Sequence, residues 1–251
     1  DTIQWKSSVP PDLISQVEAR IESLPPEDIL LLECAAQIGR KFSISELAAG
    51  VSMDRMEILT RLRELEDQTS VIQDQDHNDD YFSIDSEVTR DVLQKRILKT
   101  KGKDVREVVK EMHFLVANNL ILNSPLQVNK IFEHCLLAGS RMQVDAIKYA
   151  IESAKSAANK FAWPEVIVIL NKVSYLSSTA SQEQNDQISF LSAIAFRGVG
   201  GQENRDQARN LSLSLVESQH IDLFDVLYLY LETSFEEKQK DDLQQIVTQV
   251  E

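Results

Sequence analysis

The residues with reactive side chains are few and scattered. His134 and Cys135 are adjacent, and His113 sits one expected helix earlier. Neighbouring helix positions point about 100° apart, so a Cys/His pair would need outside help to align. These residues therefore read as helix-packing groups. Cys34 falls in an apolar run and reads as a small buried hydrophobe. His77 stands among Asp74, Asp76, Asp79 and Asp80. That spacing brings a calcium loop to mind, but the loop glycine and the late glutamate are missing, so it reads as a solvated acidic turn. A phosphate cradle needs closely spaced glycines and a lysine. The one glycine cluster, Gly198-Val199-Gly200-Gly201, has neither a strand before it nor a lysine after it. It reads as an interhelical turn. No acid–base or nucleophile constellation stands out, and the chain is expected to be non-catalytic, with no metal and no cofactor of its own.

The elements that would carry these groups follow from periodicity. Ser8 is placed to cap a first helix opening at Val9-Pro10-Pro11, with Leu13, Ile14, Val17, Ile21 and Leu24 at helical spacing. Pro25-Pro26 stops it and opens a second, almost wholly apolar helix from Ile29 to Ile38, closed by Gly39. Lys41 to Ile44 reads as extended, and Ser45 to Ala49 as a short helix ending at Gly50. Ser52 is expected to cap a third helix carrying Met56, Ile58, Leu59, Leu62 and Leu65. Strands at Thr69–Gln75 and Tyr81–Ile84 flank a turn at 76–80, and a fourth helix runs from about Ser86 to Leu98. Helix, short strand, helix, helix, hairpin, helix is the layout of a winged-helix domain.

Beyond Lys99-Thr100-Lys101-Gly102-Lys103, read as a solvated linker, no strand is expected. Helices are expected near 104–122, 125–139, 142–159, 163–177, 181–197, 203–218, 221–235 and 238–251. Paired helices of this length predict an α-solenoid. The pair over 142–177 is nearest a tetratricopeptide repeat, with Ala150, Ala154 and Ala157, then Trp163 at the turn, then Val166 and Leu170. Trp163 is expected in the repeat core. Tyr228, Tyr230 and Phe235 are expected to cap the array or meet a following repeat. The expected class is thus mainly α, in three parts: an arm helix over 1–25, a winged-helix domain with a small β-hairpin over 26–100, and tetratricopeptide-like helical hairpins over 101–251.

The chain of 251 residues carries 26 basic and 40 acidic side chains, a net charge of −14. That balance opposes a nucleic-acid surface, which needs Lys and Arg to displace counterions, and an anionic membrane surface. No run of about 18 apolar residues is present, and two cysteines cannot frame a disulfide fold, so a cytoplasmic location is expected. The third helix occupies the position of a recognition helix. It offers Arg55, Arg61 and Arg63, but also Asp54, Glu57, Glu64, Glu66 and Asp67. Those carboxylates would repel phosphates, so DNA is an unfavoured partner and the arginines are equally placed to pair with nearby acids.

The segment VPPDLISQVEARIESLPPEDILLLECAAQIGRKFSISELAAG resembles the junction after the nucleotide-binding domain of STAND-class signal-transduction ATPases, the group that includes maltose-regulator-like transcription factors and cyclase-associated AAA-type ATPases. Val9-Pro10-Pro11, Ala19-Arg20-Ile21, Leu24-Pro25, Ala35-Ala36 and Gly39-Arg40-Lys41-Phe42 match best. In YFSIDSEVTRDVLQKRI, Phe82, Arg90, Asp91 and Leu93 fall on the family's strand-then-helix pattern. Many relatives start that helix with a histidine that approaches bound nucleotide; Ser86 stands there instead and is expected to cap the helix.

The resemblance implies that ATP or ADP binds only an upstream domain; Asp1, not being a methionine, is compatible with an excised piece of a longer protein. The resemblance also implies a regulatory fragment in which helical repeats recognise a protein partner or inducer and the winged helix relays that event to the nucleotide switch. Arg55, Arg61, Arg63, Ser86 and Arg90 are its candidate interdomain or partner contacts. The sequence leaves two alternatives open, a DNA-binding winged-helix regulator and a free-standing helical scaffold, and it sets no oligomeric state.

Overall fold

The computed structural model describes residues 10–51, 53–74, 80–100 and 105–234. It is mainly helical, with one small three-stranded sheet. The chain divides into two compact units. The first takes residues up to Gln127 together with Leu137–Arg141; the second takes Val128–Leu136 and the chain from Met142 onward.

In the first unit, α1 (Pro11–Glu22) and α2 (Pro26–Ile38) each begin with proline at the first helical position. There the missing N–H costs nothing and φ is already set. The expected cap Ser8 and its neighbour Val9 lie outside the described residues. Ile29, Leu31, Leu32, Ala35, Ala36 and Ile38 make α2 a core helix, as its apolar run predicts. β1 (Lys41–Ser43) then leads directly into α3 (Ile44–Val51). Ser43 starts that helix with a capping box: its Oγ accepts from the Glu46 N–H at 3.2 Å, and the Glu46 carboxylate accepts from the Ser43 N–H at 2.7 Å. The helix therefore begins one residue before the expected Ser45.

α4 (Arg55–Gln68) is capped by Asp54, whose carboxylate accepts from the Met56 N–H at 2.8 Å. The cap expected at Ser52 lies outside the described residues. β2 (Ile72–Asp74) and β3 (Tyr81–Ile84) complete an antiparallel sheet in the order β1-β3-β2. Phe42 pairs with Phe82 across one edge and Ile72 with Ile84 across the other. Most of the expected turn between these strands, 75–79 with His77, lies outside the described residues. α5 (Glu87–Thr100) follows, and then α6 (Val105–Asn123).

α6 falls within 101–251, the part expected to be helical repeats. Its packing puts it with the first unit, because α6 lies on α3. Gly50 permits the approach: a Cβ there would sit 2.8 Å from the Met112 Cγ. Segment Leu137–Arg141 joins the same unit by laying the Arg141 guanidinium 3.8 Å from the Phe114 ring centroid.

The second unit has no strand among its described residues; its helices are α7 (Val128–Leu137, the last residue counted with the first unit), α8 (Gln143–Ala158), α9 (Trp163–Asn171), α10 (Gln182–Val199), α11 (Gln202–Ser214) and α12 (Leu223–Ser234). From α8 onward each helix packs on the next in sequence. Small residues make this possible: Ala150, Ala154, Ala193, Ala195 and Ala208 are fully buried.

The helix expected over 163–177 breaks after Asn171 into a 3-10 turn, Ser174–Leu176. The Ser174 hydroxyl donates to the Asn171 carbonyl at 2.9 Å and competes with helix continuation. α8 closes with a Schellman turn, in which the Ala162 N–H bonds the Ala157 carbonyl and the Phe161 N–H the Ala158 carbonyl. The residue in the left-handed position is Phe161, at φ 57°, where glycine is usual. The last expected helix, 238–251, and Phe235 lie outside the described residues.

Candidate functional site

α4 presents its buried face, Ile58, Leu62 and Leu65, to the first unit's core. Its arginines lie beside that face, and each meets acidic groups. Arg61 reaches the first turn of α2, where its guanidinium lies 2.8 Å from the Glu27 carboxylate and 3.2 Å from that of Asp28. Glu57, one turn back on α4, adds a contact at 3.4 Å. Hydrogen bonds to Glu27 and Asp28 push the Arg61 pKa further up, so this cation is permanent. Arg63 bonds Glu66 at 2.8 Å and Asp74 at 3.1 Å, with its guanidinium 5.3 Å from the Phe82 ring centroid. Glu66 in turn accepts from the Asp74 backbone N–H at 2.6 Å. Arg55 pairs with Asp80 at the start of β3. α4 is thereby tied to α2 by one arginine and to the hairpin by two.

Ser86 caps α5: its Oγ accepts from the Thr89 N–H at 3.1 Å. Arg90, one turn on, donates through Nε to the Ala36 carbonyl at 3.2 Å and pairs with Glu87 at 3.3 Å. Gln94 donates to the same Ala36 carbonyl at 2.9 Å. The two side chains together satisfy a carbonyl in the last turn of α2, which has no intrahelical partner of its own.

Three basic side chains outside the candidate contacts also bridge elements. Arg20 of α1 bonds the Asp85 carboxylate at 2.9 Å and lies 3.3 Å from the Thr89 hydroxyl. Arg40 donates to the Asp85 carbonyl at 3.2 Å. Arg96 of α5 sits 3.2 Å from Glu33, a buried carboxylate of α2. Asp85 is thus held by two arginines, and with Ser86 it lines a groove of about 360 Å³ whose other walls include Leu13, Val17 and Val88. The Arg20 and Asp85 pairing spans 65 residues of sequence, and no local pattern announces it.

His113, His134 and Cys135, singled out in the sequence, are each buried. His113 is buried in α6, and burial lowers its pKa to about 4, so it is neutral at pH 7. Cys135 is buried in α7, and burial, with the charge of Asp145, pushes its thiol up to about 12. A thiol held protonated is a poor nucleophile. Among the described residues no group of three or more His, Cys, Asp or Glu side chains is arranged to hold a metal ion.

Gly198 belongs to α10 rather than to the interhelical turn, and a Cβ there would lie 2.5 Å from the Trp163 indole. Gly200 and Gly201, at φ 78° and 85°, make the turn itself. Trp163 meets Phe161 edge-on, with ring centroids 5.7 Å apart. Lys99 is in α5; Lys101 and Lys103 lie outside the described residues. No helix among the described residues is long and apolar enough to cross a membrane. Comparison with known protein families, curated proteins and solved structures returns no match.

Proposed function

We propose that this chain is a non-catalytic coupling module of a larger signalling ATPase of the STAND type. The first unit is a winged-helix relay, with β2 and β3 as its wing and α4 in the recognition-helix position. The second is a tetratricopeptide-like solenoid whose hairpins recognise a protein partner or inducer. The upstream nucleotide-binding domain is the relay's other contact, and ATP or ADP binds there. Coupling of this kind requires the partner to bind one conformational state better than another.

One observation carries the reading. The three arginines that a DNA-reading helix would turn toward phosphate are already engaged: Arg55 by Asp80, Arg61 by Glu27, Asp28 and Glu57, and Arg63 by Glu66 and Asp74. Releasing them to a duplex would leave their carboxylates, with Glu64 beside them, facing a polyanion. A surface balanced in this way suits packing against protein, and the net charge of −14 agrees.

The test has two arms. The coding sequence upstream of Asp1 should encode a strand followed by a phosphate-loop motif within roughly three hundred codons, the span of one or two domains. A start codon close to Asp1 would remove the relay. The chain should also fail to bind duplex DNA even at low salt. Affinity that falls steeply with added salt would favour the DNA-reading alternative.

A further inference from the structure

α1 is held to the first unit differently from the helix that follows it. Among its described residues only Val17 and Ile21 are buried, whereas α2 buries Ile29, Leu31, Leu32, Ala35, Ala36 and Ile38. Its main packing partner is α5, and no side chain caps its N-terminus. A helix of 12 residues is marginal without packing. Two ion pairs supply the rest of its hold: Arg20 with Asp85 at 2.9 Å, and Glu22 with Arg96 at 3.4 Å. Arg96 does not depend on α1, because it also lies 3.2 Å from the buried Glu33 of α2. The Arg20 contact is incomplete. Its Nε and the Asp85 Oδ1 are buried with no hydrogen-bond partner among the described residues. Lifting α1 would hand both atoms to water. The chain also permits the lift. Pro25 and Pro26 follow α1, and with no N–H they make no hydrogen bond back to its last turn.

We propose that α1 is a charge-latched strap that opens while the rest of the first unit stays folded, and so uncovers one face of α5. Arg20 marks that face, lying 3.3 Å from the Thr89 hydroxyl, and Arg96 marks its far end. Thr89, Val92 and Arg96 stand at i, i+3 and i+7, one stripe along α5. Under the strap Thr89 is fully buried and Val92 nearly so. Arg90 and Gln94 hold α5 to α2 through the Ala36 carbonyl, so α5 stays in place when α1 leaves. The state of the latch decides how much of the stripe meets solvent. This inference uses contacts within the first unit and stands whether or not the coupling role does.

Two measurements on the full chain test it. Amides of α1 should exchange roughly a hundredfold or more faster than the slowest amides of α2 and α5. Arg20→Met should speed α1 by about a further tenfold and leave α2 and α5 unchanged. In a Cys34→Ser background, the thiol of Val92→Cys should react with iodoacetamide at a rate that rises in step when Arg20→Met is added. Exchange of α1 together with α2 and α5 would overturn the proposal. So would an Arg20→Met variant that loosens all three helices alike, or a thiol reaction that ignores Arg20→Met.

Discussion

The two units hold themselves together differently. The first uses long-range charged contacts: α4 to α2 through Arg61, α4 to β2 through Arg63, α5 to α2 through Arg96, and α1 to the start of α5 through Arg20. The second has long-range ion pairs as well, Lys172 with Glu133 and Arg197 with Glu232, but rests mainly on helices packed over buried alanines and on Gly198 against the Trp163 indole. Side-chain ion pairs orient elements but are screened by water and salt. Close backbone packing is insensitive to salt and intolerant of added volume. Charge thus has the larger share in the first unit and volume in the second, although the first has its Gly50 notch and the second its own ion pairs.

The largest expected separation is in pH. His113, in the first unit, has an unfolded pKa near 6.5 and a folded value of about 4. Between those values the unfolded state binds the extra proton, so its stability contribution is complete above pH 6.5 and is lost toward pH 4. The amount is about 3 kcal/mol. Cys135, in the second unit, moves the other way, from 9.0 to about 12. Its contribution is complete below pH 9 and is lost as pH rises toward 12, by about 4 kcal/mol. Amide exchange followed in each unit should show the first loosening in acid and the second in alkali. His113→Gln and Cys135→Ala should each flatten their own slope. Equal pH profiles in both units would break the comparison.

Next in size is Gly198→Ala. Its methyl group meets the Trp163 indole at 2.5 Å and should cost the second unit about 1–3 kcal/mol in urea unfolding, with little salt dependence. Arg63→Met leaves Asp74, whose side chain is 10% exposed, without that partner. It should cost the first unit about 1–2 kcal/mol at low salt and less in 1 M NaCl, where wild type is itself weakened. If the Gly198→Ala loss varied with salt and the Arg63→Met loss did not, the assignment of mechanisms would be reversed.

The smallest effect sharpens the contrast with an internal control. Ser43 and Ser181 each begin a helix with the same capping box, one per unit. Ser→Ala at either should cost about 1 kcal/mol, because the interaction is local and blind to which unit surrounds it. A several-fold difference would mean that tertiary context, not the cap, sets the value.

Much of the fold was legible where the signal is local. Pro25-Pro26, the apolar run of α2 and the small residues of α8 point to their elements without outside information. Ser43 was missed because Lys41–Ile44 reads as one extended piece, although the Ser-x-x-Glu spacing to Glu46 was there to find. α6 was assigned to the tail because nothing local shows that Gly50 is the notch it packs into. The candidate arginines were legible as residues but not as partners. Arg61 meets Glu27 across 34 positions and Arg20 meets Asp85 across 65. Pairings that distant are decided by the fold, and periodicity carries no trace of them.

The shared carbonyl of Ala36 has a mechanical consequence. Arg90 and Gln94, one turn apart on α5, both hold it. Sliding α5 along α2 would stretch both bonds at once, so load along their axes is met in shear rather than peeled off one contact at a time. The pair should behave as a stiff strut: under tension between the ends of the first unit, α2 and α5 should part late and together, after α1 has come away.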